Sequence, residues 1–297
     1  MQKIILAKIS LSEYPLGNII NREDNKMVQN SENKTVNVIC IKWGTLYSAD
    51  DINKLYSAIK RNTRHNVKLF CFTEIPEGLN DEIVAHPLPT FDVEAPFNHK
   101  KESGLCDDNL GGLNGQRVFF FDIDSLIVGN LDELFDYDYG DELYIINDWA
   151  NRKGKKKNKV GQASCYTFVV GTLGYVKKYF EQNSEEVIKE FGTATQEYLS
   201  AKVIEKNGKL NFFPDNWFKS FHFHCMPNPL LRWLLPTKKP NVEGLKMIAF
   251  HGTTNIPDAL KGVYGKKSKD IKNKFLYFIK KFYKQIKPAK WVEEYWK

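Results

Sequence analysis

Apolar residues along this chain fall into short solid runs, with helix-period stretches between them. The first run, residues 36–42 (VNVICIK), reads as a buried strand. Asp50 or Asp51 then stands where a helix cap is needed, ahead of Ile52, Leu55, Tyr56 and Ile59 at helical spacing. Residues 67–73 (VKLFCFT) form the next strand, so the three elements make a βαβ unit, which requires a parallel crossover. Beyond a proline-rich connection, residues 118–121 are apolar enough to demand a central strand buried on both faces, ending abruptly at Asp122. Residues 143–146 and 165–170 read as further strands, and helices are predicted over 173–190 and 195–206. Strand-like segments recur at 218–224 and 247–251. This alternation predicts an α/β fold built on a single, mostly parallel sheet flanked by helices. Residues 1–35 show no period and read as an irregular N-terminal arm.

The chain has 297 residues, of which 42% are hydrophobic and 27% charged, which excludes a wholly disordered protein. No apolar run is long enough to span a bilayer, and the opening IILAKISL is too short and too polar-flanked to be expected as a secretory signal. The five cysteines are scattered without a CxxC, so the expectation is free thiols in a reducing compartment. The net charge of +7 is unevenly spread. Lysines crowd residues 261–297, opposed there only by Asp270, Glu293 and Glu294, while the rest of the chain is close to neutral. That distribution argues against a nucleic-acid binder and for a localised anionic contact. Within the basic, aromatic tail at 266–297, Ile271, Phe275, Phe278, Phe282 and Ile286 recur at helical spacing before Pro288, followed by Trp291, Tyr295 and Trp296. Two readings fit the tail: a helix on an anionic membrane surface, or a terminal helix packed on the domain with a solvated lysine face. The first predicts a cytoplasmic protein held peripherally on the inner face of the cytoplasmic membrane. A basic loop at 151–159 reads either as a guide for acceptor phosphates or as a solvated loop.

The candidate chemistry lies at the end of the central strand. Asp122 and Asp124 flank Ile123, and in extended geometry residues two apart share a face. Two carboxylates then converge in the crevice beyond a strand's carboxyl end, where α/β sheets bind ligands. Their mutual repulsion calls for a cation, and a hard dication bridging to phosphate oxygens is the natural solution. A second triplet, Asp136-Tyr137-Asp138, lies in an acidic turn-like stretch and reads as surface.

The segments VNVICIKWGTLYSADDINKLY, LFCFTEIPEGL and GQRVFFFDIDSLIVGNLDELF, followed in order by FGTATQEYLS, WFKSFHFHC and FHGTTNIPDALKG, resemble bacterial nucleotide-sugar glycosyltransferases of the GT-A fold over residues 36–265. The resemblance implies a Rossmann-like catalytic domain and metal-dependent transfer of a sugar from a nucleoside diphosphate, UDP being the expected nucleotide. The implied acceptor is a saccharide or glycolipid in lipopolysaccharide or capsule synthesis, and the implied cofactor is Mn2+ or Mg2+. It further implies that Trp43, Gly44, Thr45, Tyr47 and Thr73 hold the nucleoside, and that Lys101, in His99-Lys100-Lys101, lies near the diphosphate. Asp122 is similar to the carboxylate that contacts ribose and metal, and Asp124 to the direct metal ligand. His251 matches a late histidine that completes the metal shell, and an imidazole ligand favours Mn2+. The family's usual lysine after this His-Gly is replaced by Thr253, Thr254 and Asn255, with Lys261 or Lys266 downstream as substitutes. Asp148 and Glu197 are the candidate bases on the acceptor side, and Gln196 stands where retaining members place a residue beside the reacting carbon. Whether anomeric configuration is kept stays open. Two rival readings are a haloacid-dehalogenase-type phosphatase, with Asp122 as nucleophile and Asp124 as acid/base, and a non-catalytic nucleotide-sugar-binding protein. His222 and His224, as alternating strand residues, would share a face, but no third ligand at zinc-like spacing accompanies them.

Overall fold

Strand β1 (Thr35–Lys42) and strand β2 (Asn66–Thr73) pair in parallel through their full length, with helix α1 (Ala49–Arg61) between them. This computed structural model describes residues 33–149, 160–252, 254–263 and 286–297. The basic loop, most of the N-terminal arm and residues 264–285 of the tail lie outside the described residues. Helix α1 starts one turn earlier than its aspartates suggested. Ser48 is the cap: its hydroxyl accepts the Asp51 N–H at 3.3 Å while the Asp51 carboxylate accepts the Ser48 N–H at 2.8 Å.

The main sheet has seven strands. In spatial order these are β3 (Val84–His86), β2, β1, β4 (Arg117–Phe121), β7 (Gly161–Val169), β6 (Tyr144–Asn147) and β8 (Asn211–Phe212). The predicted central strand, β4, is the middle one. Pairing is parallel except where β7 runs against β4 and β6. Alternation along the strands divides the core into two layers. Val36, Val38, Cys40, Phe119 and Phe121 face α1 on one side, and Ile39, Ile41, Val118 and Phe120 face helices α4 (Gly174–Gln182) and α6 (Thr195–Asn207) on the other.

Several elements escaped the sequence pattern. The helix expected over 173–190 breaks at Asn183, whose backbone leaves helical geometry as its side-chain amide donates to Tyr179 O. Helix α5 (Ser184–Phe191) follows, and α6 ends at Gly208, which takes the left-handed φ of +71° that a C-terminal glycine allows. Helix α2 (Phe97–Glu102) sits inside the proline-rich connection. A second, three-stranded sheet joins β5 (Ser125–Ile127), β10 (Met247–Ala249) and β9 (Phe218–Ser220), with α3 (Asp132–Asp136) after β5 and α7 (Ile256–Leu260) after β10. Strand β9 stops at Ser220, and Phe221–Cys225 is a wide π-type turn. His222 and His224 therefore do not alternate on a strand, which removes the geometry that would have paired them.

All five cysteines are free and buried. Among the described residues no helix is long and apolar enough to cross a membrane. At the C-terminus, Ile286, Val292 and Trp296 are buried in the core, and Trp291 and Tyr295 pack against it. These aromatics thus serve the packed reading of the tail end rather than projecting from it.

Candidate active site

At the end of β4 the chain turns sharply. The Ser125 N–H donates to Asp122 O at 3.1 Å, closing a β-turn, while the Asp122 N–H remains on the sheet through Ser164 O at 2.9 Å. Asp122 and Asp124 are thus held by a turn, not by the extended strand that the sequence suggested. Ile123 is driven into the core between them, and both carboxylates stay half-buried on the other side. Lys101 reaches from α2 and donates to Asp122 Oδ2 at 2.7 Å. Tyr47, from the loop after β1, donates its hydroxyl to Asp124 Oδ2 at 2.9 Å. Behind Lys101 lies Glu102, buried, 3.5 Å from the ammonium and hydrogen-bonded by the Thr195 hydroxyl at the start of α6.

The charges of this group are tightly coupled. Burial, followed by repulsion from Asp122, pushes the Asp124 carboxyl up to about 8, against the opposing effects of the Tyr47 hydroxyl and Lys101. Burial raises the Tyr47 phenol, and the charges of Asp124 and Asp122 raise it further. Burial alone would lower Lys101, but Asp122 and Glu102 outweigh it and hold the ammonium above its ordinary range. Burial also raises Glu102, with Lys101 and Thr195 opposing. One lysine therefore serves three carboxylates, and a site with unmet demand for positive charge is what a dication fits. The donor set, hard carboxylate oxygen, suits Mg2+ or Mn2+.

His251 comes close but is engaged elsewhere. Ala249 lies opposite Ser125, and the Phe250 N–H donates to Asp124 O at 3.2 Å, so His251 follows directly beside the aspartate turn. Its Nε2 lies 2.7 Å from Ser220 Oγ, and its ring stacks on Trp149 at 5.2 Å. Burial and then the charge of His222 lower its pKa to about 4, with Asp148 opposing, so the ring is neutral at pH 7. Among the described residues no group of three or more His, Cys, Asp or Glu is assembled to hold a metal. The expected three-ligand set is present only as the aspartate pair, with His251 turned to Ser220.

The other expected residues are spread around the same end of the sheet. Gly44, at φ +59°, turns the chain after β1, and its N–H donates to Glu74 Oε1 at 2.6 Å. Thr45 is exposed in this turn. Trp43 lies 6.5 Å from Phe97, whose outer face is covered by Lys100. Thr73 is buried, and its hydroxyl is used to hold the Ile75 backbone at 3.1 Å, so it is not presented to a ligand. Gln196 accepts the Ala163 N–H at 3.3 Å, beside the Ser164 that holds Asp122. Glu197 is half-buried on α6 and Asp148 is buried beside His251. Asn255 caps α7 by accepting the Asp258 N–H, and Lys266 lies outside the described residues. The second triplet is only partly the surface pair that the sequence suggested: the Asp136 side chain is buried, where it pairs with Lys34, Arg64 and His65, while Asp138 is exposed and accepts the Gly140 N–H.

Sequence reasoning missed Phe97, Glu102, Thr195, Ser164 and Ser220. Phe97 and Lys101 lie four apart on α2, a spacing that was readable, but the prolines around it masked the helix. The remaining partnerships are long-range and leave no local signal.

The fold has solved counterparts. A crystal structure of the galactosyltransferase LgtC with donor and acceptor sugar analogs superposes with a TM-score of 0.52 at 11% identity, covering 74% of this chain and 89% of that one. The structure of an active-site glutamine-to-glutamate mutant of LgtC matches with the same values. The apo bifunctional glycosyltransferase WbbM matches at 12% identity and a TM-score of 0.45, over 77% of this chain and 48% of that one. No protein-family profile and no curated protein sequence matches the chain. The fold is that of LgtC, a mixed α/β fold with a seven-stranded, mostly parallel sheet.

Proposed function

We propose that this chain is a glycosyltransferase that moves a sugar from a nucleoside diphosphate, UDP in the first instance, to a saccharide or glycolipid acceptor. The observation that carries the reading is the Asp122–Asp124 turn at the end of the central strand, tied to Lys101 and Tyr47. The LgtC-like fold supports it, since such a turn lies at the carboxyl end of the strands, where α/β sheets bind ligands.

Asp122 and Asp124 would hold Mn2+ or Mg2+, which when bound supplies positive charge against the departing diphosphate. Lys101 neutralises Asp122 and would meet a phosphate oxygen of the bound diphosphate instead. Tyr47 orients the Asp124 carboxylate by hydrogen bonding one of its oxygens. Trp43 and Phe97 offer an aromatic ledge for the base, with Gly44 and Thr45 at its rim. On the acceptor side Asp148 is the base we favour, because it is buried in the wall that contains His251, and a carboxylate there can take the acceptor hydroxyl's proton. Gln196 and Glu197, on the first turn of α6, would position the transferred sugar.

The test is a thermal-shift screen of nucleotide sugars with and without Mn2+, followed by chromatography of released UDP. A shift that needs both nucleotide and metal, and is lost in Asp124→Ala, supports the proposal. A variant that responds like wild type would end the metal assignment. One observation favours a second reading: His251 is engaged by Ser220, and among the described residues no third His, Cys, Asp or Glu joins the aspartate pair. A non-catalytic nucleotide-sugar binder would show the shift and release no UDP.

A further inference from the structure

We propose that residues 229–235 form a docking knuckle that inserts into the interface of a bilayer carrying anionic lipid. After the turn at Phe221–Cys225 the chain runs NPLLRWLLPTKKP, residues 228–240. A short 3-10 turn at Pro229–Leu231 starts the knuckle, and the Leu234 and Leu235 N–H groups both donate to Leu231 O, at 3.0 and 2.8 Å. The winding turns Leu230, Leu231, Trp233, Leu234 and Leu235 outward. Leu230 is 80% exposed and Leu234 51%. These five are half of the ten exposed large hydrophobic residues among those described, gathered in six consecutive positions. Scattered apolar residues need no explanation, but a contiguous cluster does.

The knuckle has its polar groups settled before it leaves water. Arg232, its one charged residue, is turned inward at 8% exposure and donates through Nε to Pro227 O. The Trp233 indole N–H donates to Leu230 O at 3.2 Å, so insertion does not strand it. The segment is also fastened to the body. The Lys238 N–H donates to Cys225 O, Thr237 Oγ1 accepts the Trp291 indole N–H, and Lys239 Nζ donates to the Tyr295 hydroxyl. Held this way, the leucines cannot fold back to cover themselves.

The rim decides the partner. Lys238 and Lys239 are exposed at the edge of the apolar face, the arrangement that combines interfacial burial with attraction to anionic headgroups. Protein-binding hot spots favour Trp, Tyr and Arg but under-use Leu, and protein interfaces disfavour Lys, so four leucines rimmed by two lysines, with Arg232 turned inward, fit a lipid surface better. The location is also apt. Phe223, in the turn that leads to the knuckle, lies 5.8 Å from the His251 ring, so the docking face adjoins the candidate site. Docking itself does not depend on the proposed transfer reaction.

The experiment is co-sedimentation of the full chain with phosphatidylcholine vesicles, with and without phosphatidylglycerol, combined with quenching of tryptophan by brominated lipid. Wild type should bind the anionic vesicles and be quenched. Trp233→Phe should still bind and lose most of the quenching. Leu230→Ser/Trp233→Ser/Leu234→Ser, shown to be folded by an unchanged melting temperature, should lose at least about 50-fold in partitioning. Lys238→Gln and Lys239→Gln should each cost about five-fold, an effect erased by high salt. Quenching that survives in Trp233→Phe, a triple variant that binds like wild type, or a wild type indifferent to anionic vesicles would overturn the proposal. So would a wild-type dimer that becomes monomeric in the triple variant, because a second copy would then be the occupant. Vesicle binding without any UDP release would leave docking standing and refute only the transferase reading.

Discussion

Asp124→Asn should make the metal-free protein more stable while removing its response to ligand. In the folded chain the Asp124 carboxyl titrates at about 8 instead of an ordinary 3.8, so folding takes up a proton across that interval. A carboxyl whose pKa is raised by folding contributes no penalty below about pH 4. Its penalty grows as the pH rises toward 8 and is constant above. At pH 7 the part of the interval already crossed corresponds to a ceiling of about 4 kcal/mol. Asp124 is only half-buried, and solvent screening reduces this to about 1–2 kcal/mol. Asparagine keeps an oxygen to accept the Tyr47 hydroxyl and carries no charge. The melting temperature without metal should therefore rise by about 2–6 °C at pH 7–8 and by almost nothing at pH 4. Scanning calorimetry between pH 4 and 8, with and without Mn2+ and UDP, measures both effects. A variant less stable than wild type at pH 8, or an advantage that does not grow with pH, would show that burial and Asp122 do not disfavour the Asp124 charge as described. It would remove the electrostatic ground for a dication between the two aspartates.

Other expectations follow from the same geometry. Lys101→Met leaves Asp122 and Glu102 without their shared cation and should cost about 2–3 kcal/mol in urea unfolding at pH 7, less in acid, where the Glu102 carboxyl, raised by burial, protonates. Asp132 is raised by burial, but the Thr63 hydroxyl, the Arg64 N–H and Asn130 outweigh this and lower its pKa, so its contribution is present above the ordinary carboxylate range and is lost as the pH falls through the lowered value. Asp132→Asn should cost about 1–2 kcal/mol at neutral pH and flatten that acid limb of the stability profile. A Cβ at Gly161 would lie 2.5 Å from Ile145 Cδ1, inside the packed β6–β7 pair. Gly161→Ala should destabilise by about 1–3 kcal/mol, and a double-mutant cycle with Ile145→Ala should recover most of that cost.

The layered α/β plan is legible in the linear pattern of apolar residues. Solid apolar runs such as VNVICIK and VFFF require a sheet covered on both faces, and this requirement is local enough to read from periodicity. The sequence also placed Asp122 and Asp124 just past the carboxyl end of the central strand, where the structure has them. It did not determine how the carboxylates are held. Lys101 from α2, Tyr47 from the β1 loop and Thr195 behind Glu102 all reach the turn from positions distant in the chain. Nor could it show that His251, aligned beside Asp124 by the β5–β10 pairing, would spend its Nε2 on Ser220. The exposed leucines of the knuckle carry no outward signature either: the same PLLRWLLP in a core would read identically. Burial and electrostatic coupling belong to the assembled volume, so only the tertiary structure decided them.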